Sequence, residues 1–232
     1  MELRTSPSSF LAIRTLLGYR FLVLGYDRHG NKHLALTASV ASVLRLSVMA
    51  AMQVELENAS DEDILCSVAA RLITLAILDT MHTGQRAIVH NAAPDLADYI
   101  APEASEKNVE IVFTTASKED SPPSWLVLPP FAGPSEILQV LDPRASCMVD
   151  FSSNSDDLSM TLTKILPLHC RKESLETLCS FKAYDKHYKS GATDELLRKL
   201  LLRAVNHKLV ATPPSSLKTT SIGINEVTDN HD

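Results

Sequence analysis

Glycine is scarce. Seven glycines in 232 residues are too few and too scattered to build a Gly-rich loop around a phosphate anywhere in the chain. Aromatic residues make up 5% with a single tryptophan, and no basic cluster is interleaved with them, which removes the usual stacking platform for nucleic acid. Excess positive charge is also missing: 22 Lys and Arg against 28 Asp and Glu leave a formal net charge of −6, so nucleic acid is not an expected partner. The four cysteines, Cys66, Cys147, Cys170 and Cys179, lack CxxC spacing. That argues against a disulfide framework and for a reduced, intracellular, cytoplasmic protein. No uninterrupted apolar run is long enough for a bilayer. Phe10–Leu24 is broken by Arg14 and Arg20, and Ile64–Leu78 contains Arg71 and reads as a buried core helix, so no membrane partner is expected.

Familiar catalytic signatures are missing too. There is no GxSxG, HExxH or EF-hand pattern, and neither Tyr184 nor Tyr188 is followed by lysine four residues on. His169-Cys170 has no second pair at ligand spacing, so a zinc site is not expected. What remains is a chain with 45% hydrophobic residues, enough for a sizeable core.

Periodicity supplies the elements. Tyr19–Gly25 reads as a strand, and His33–Thr37 returns from a polar turn to form a hairpin. Gly25 and Gly30 have the spacing of a P-loop's outer glycines, but Asn31 stands where the lysine belongs, so the hairpin reading is kept. Met1–Ser9 reads as frayed, and Ser39–Val54 takes no assignment. Ser60 is the expected N-cap of a helix whose first residues, Asp61, Glu62 and Asp63, suit the positive end of the dipole, with its end near Gly84. Strand Arg86–His90, a helix from about Asp95 to Lys107 and strand Val109–Thr115 follow. Trp125–Leu128 reads as a short strand in which Trp125 packs, Pro134–Leu141 as a helix and Cys147–Phe151 as a strand. Ser152–Ser159 reads as a polar loop, after which Leu162–Leu168 and Ser174–Ala183 lose the rhythm. A last amphipathic helix spans Thr193–Val210.

Alternating strands and helices imply parallel βαβ units. The expected fold is α/β: a Rossmann-like parallel sheet with flanking helices, preceded by a β-rich N-terminal segment and followed by a helical connector. The expected divisions are 1–59 for the β-rich segment, 60–160 for the Rossmann-like core, 161–212 for the connector and 213–232 for a linker tail.

The informative stretch is the turn His90-Asn91-Ala92-Ala93-Pro94-Asp95-Leu96-Ala97, between the strand and helix that would grip a dinucleotide. Glycines belong there, for a tight turn and close backbone approach to pyrophosphate. Pro94 instead removes a backbone N–H, and Asp95 places a negative charge where the anion would sit. Ala93, Pro94, Asp95 and Ala97 are therefore candidate cofactor-binding positions that have lost their chemistry. Ser117 and Lys118 follow the second strand, where an NADP 2′-phosphate would be met, but Glu119 and Asp120 come next and would repel it. His90 reads as a hydrogen-bonded structural histidine at the crevice. No catalytic residue and no metal ligand is assigned.

Arg86–Ser117, with its His-x-Ala turn and Phe113-Thr114-Thr115 strand end, resembles the enoyl-reductase region of fungal highly reducing polyketide synthases, of the medium-chain reductase family. Ser124–Pro130 and Met148-Val149-Asp150-Phe151-Ser152 carry the same likeness, and it extends from about Tyr19 to the last helix. Active members have Gly-Gly-Val-Gly after the first strand. Aligned on His90, the three glycine positions hold Pro94, Asp95 and Ala97, with Leu96 in the valine place. The chain is similar to the degenerate type, found in synthases that rely on a separate reductase. The resemblance implies a non-catalytic domain serving as scaffold or docking surface, without cofactor. Its implied partners are other synthase domains or a trans-acting reductase, with a homodimer contact usual in the family. The alternative is an NADPH-dependent enoyl reductase with an atypical cofactor turn. An excised domain, a gene fragment and a free-standing relative all fit the sequence.

Overall fold

The computed structural model describes residues 1–6, 10–15, 17–54, 59–118, 121–152, 157–179 and 193–205. Two compact units divide the chain: Met1–Ala76 with Leu178–Asp232, and Ile77–Thr177.

The first unit is built on an antiparallel sheet. Its strands are β1 (Glu2–Arg4), β2 (Phe10–Thr15), β3 (Gly18–Tyr26), β4 (Lys32–Thr37), β5 (Val43–Arg45) and β6 (Ala51–Gln53). The order is β5-β1-β3-β4-β6, with β2 also on β3. Long apolar runs in β2 and β3 are buried along nearly their whole length. Phe10, Tyr19, Phe21, Val23 and Leu44 form one core cluster, in which Phe10 meets Phe21 edge-on at 6.1 Å. The β3–β4 hairpin is as expected. Asp27 accepts the backbone N–H groups of His29 and Asn31 (2.8 and 3.0 Å) and the Asn31 amide. The Asn31 side chain, with those two N–H groups, holds the Asp27 carboxyl well below the usual carboxylate range. Gly30 takes the left-handed φ of 82° that the turn needs. Gly25 lies within β3, where an added Cβ would stand 3.0 Å from Leu3 Cβ. Its role is close strand approach rather than phosphate binding.

Of the expected frayed stretch Met1–Ser9, the described residues 1–6 depart from that expectation. Leu3 is fully buried, and β1 pairs with β5 through Glu2–Arg4 and with β3 at Arg4. The unassigned stretch supplies β5, β6 and a 3-10 turn at Val48–Ala50.

Helix α1 (Asp61–Leu78) starts as expected, with Ser60 Oγ accepting the Asp63 N–H at 3.1 Å. It stops at Leu78 rather than near Gly84. The Arg171 guanidinium donates to Ile77 O at 2.7 Å and to Thr80 Oγ1, satisfying helix-end groups. Gly84, at φ 80°, then turns the chain toward the next strand.

The second unit holds a parallel sheet of β7 (Arg86–His90), β8 (Glu110–Thr115), β9 (Leu126–Val127), β10 (Cys147–Asp150) and β11 (Arg171–Ser174). Its order, β11-β10-β7-β8-β9, places strands 3-2-1-4-5 of the unit side by side, the doubly wound Rossmann arrangement. Helices α2 (Pro94–Glu106), α3 (Pro134–Val140) and α4 (Asp157–Ile165) flank it, and a helical turn, α5 (Leu175–Leu178), follows β11. The expected fold class holds. Two local readings do not: α4 begins inside the expected polar loop and runs to Ile165, and β11 extends the sheet in a stretch that was given no strand. Ile88, Ile137, Leu141, Met148, Leu158 and Leu162 pack α3 and α4 onto one face. In the first unit, α6 (Asp194–Val205) lies against β4, β6 and the 3-10 turn. The rest of the expected last helix, and Tyr184 and Tyr188, lie outside the described residues.

Candidate functional site

In a doubly wound sheet, ligands sit beyond the carboxyl ends of the strands where the strand order reverses. Here that point lies between β7 and β10, which are in register from Cys147↔Ala87 to Asp150↔His90. The helix that follows β7 should aim its first N–H groups into this crevice.

The helix start is closed. Ala93 is the N-cap residue in extended conformation, with no side-chain cap. Pro94 occupies the first helical position and has no N–H to offer. The Leu96 N–H is taken by Asp95 Oδ1 at 2.8 Å and by Ala93 O at 3.0 Å. The Ala97 N–H goes to Ala93 O at 3.1 Å, and Ala97 itself is buried. The candidate residues Ala93, Pro94, Asp95 and Ala97 thus share one turn at the switch point. Ser117 and Lys118 do not join that turn. They are exposed beyond the end of β8, with the Ser117 N–H held by Thr115 Oγ1 at 3.1 Å. Glu119 and Asp120 lie outside the described residues.

A polar network not anticipated from sequence ties the strand ends together. Asn91 adopts φ 50°, a left-handed conformation that Asn tolerates better than most residues. Its N–H donates to Thr114 O at 2.8 Å, its Nδ2 to Ser152 Oγ at 2.8 Å, and its Oδ1 accepts the Ala116 N–H at 3.3 Å. One side chain therefore links the ends of β7, β8 and β10. The Asp150 carboxylate accepts the Ser152 N–H at 2.9 Å and the Ser159 hydroxyl from α4. The Phe151 N–H donates to His90 O at 2.9 Å. The sequence signal was available in principle: an asparagine directly after a strand end, followed by small residues, marks a left-handed turn.

His90 is hydrogen-bonded, as expected. It is fully buried, and its Nδ1 is 2.9 Å from Thr114 Oγ1. Trp125 packs as expected, stacked on Phe113 with ring centroids 5.0 Å apart. All four cysteines are buried thiols outside any disulfide; burial, with Cys66 beside it, pushes the Cys179 thiol up to about 12. His169 is exposed while Cys170 is buried. Among the described residues no group of three or more His, Cys, Asp or Glu side chains could hold a metal ion, and no helix is long and apolar enough to cross a membrane.

Over 225 residues the chain is 35% identical to the highly reducing polyketide synthase bet1 of Neocamarosporium betae, a match covering 93% of this chain. It is 32% identical over 206 residues to the highly reducing polyketide synthase calA of Penicillium decumbens, covering 88% of this chain. The homologues of this chain are fungal highly reducing polyketide synthases, to one region of which it is similar. It spans 8% of the length of bet1 and 7% of calA. The quinone oxidoreductase of Pseudomonas syringae pv. tomato shares the fold of this synthase-related chain. Its TM-score is 0.54 at 10% identity, over 100% of this chain and 88% of that one. No family model matches the chain.

Proposed function

We propose that this synthase-related chain is an enoyl-reductase-like domain without catalytic activity, serving as scaffold or docking surface in polyketide biosynthesis. The observation that carries the reading is the closed first turn of α2. A pyrophosphate needs unpaired N–H groups and close backbone approach. Here proline removes one donor, Asp95 Oδ1 and Ala93 O take the N–H groups of Leu96 and Ala97, and the Asp95 carboxylate repels the anion. These residues do not fit NADPH. The Asn91 network supports the same reading, because it spends the polar groups of the crevice on one another.

Its partners in this reading are other domains of a synthase or a reductase acting in trans, with a homodimer contact as a further means of assembly. An assay of NADPH consumption with an enoyl thioester tests the proposal. No consumption above a protein-free control is the expected result, and turnover that scales with protein concentration would overturn it in favour of an enzyme with an unusual cofactor turn.

A further inference from the structure

No further inference is drawn: the strongest candidate, the outer edge of the apolar strand β2, which pairs with β3 alone among the described strands, is an unpartnered edge with nothing in the structure to show what covers it.

Discussion

Replacing Asn91 separates the two reasons it stands at the switch point. Its side chain makes a 2.8 Å bond to Ser152 and a longer 3.3 Å bond with the Ala116 N–H. Taken together these are worth about 1.5 kcal/mol net, the second counted at half because of its length. Its φ of 50° costs an ordinary L-residue about 1 kcal/mol more than glycine. N91A is therefore expected to lose about 2.5 kcal/mol, from both terms. N91G keeps the backbone conformation and is expected to lose about 1.5 kcal/mol, from the bonds alone. Urea unfolding followed by circular dichroism reads the difference, with slopes compared so that any change in the denatured state is seen. Amide exchange at Ala116 and Ser152 should accelerate in both variants. Equal losses in the two variants would show that the left-handed conformation carries no penalty. Losses under about 0.5 kcal/mol in both would show that the network does not hold the strand ends, refuting the closed-crevice account.

Two further outcomes follow from the packing. The Tyr26 hydroxyl donates to the Asp61 carboxylate at 2.6 Å; burial, then the bond and charge of Asp61, push its pKa from 10.0 up to about 12. A raised folded-state pKa gives stability that is complete below pH 10 and lost as pH rises through about 12. Y26F should flatten that alkaline limb in pH-dependent melting curves, and an unchanged limb would contradict the assignment. Leu162 is fully buried, 0% exposed to solvent, within the cluster that seats α3 and α4. L162A is expected to cost about 2–5 kcal/mol in denaturant titration, and a loss below about 1 kcal/mol would show that the site collapses without a cavity.

The strands and helix around the candidate site were legible because local pattern and tertiary role agree. Arg86–His90 is a short β-rich run, and Pro94 sits at the first helical position that proline prefers. The hydrogen bond of His90 was legible because a strand-end histidine beside a threonine-rich strand finds a partner. Other elements were hidden by residues doing non-local work. Strand β11 reads Arg-Lys-Glu-Ser, which has no apolar signature; Arg171 is there to satisfy the end of α1, a contact that local periodicity cannot reveal. Strand β1 has one buried residue, Leu3, between two exposed ones, and its place depends on pairing with β5, far along the chain. The Asn91 network escaped for the same reason. Its partners Ser152, Thr114 and Ala116 are brought together only when β8 and β10 flank β7.

The most direct test of the closed turn is calorimetric titration of the full chain with NADPH, with melting temperature followed in parallel. A ligand that binds only the folded state raises the melting temperature in step with its concentration. The account predicts no heat of binding and no shift at millimolar NADPH from a protein that melts cooperatively. Micromolar binding with a rising melting temperature would contradict it.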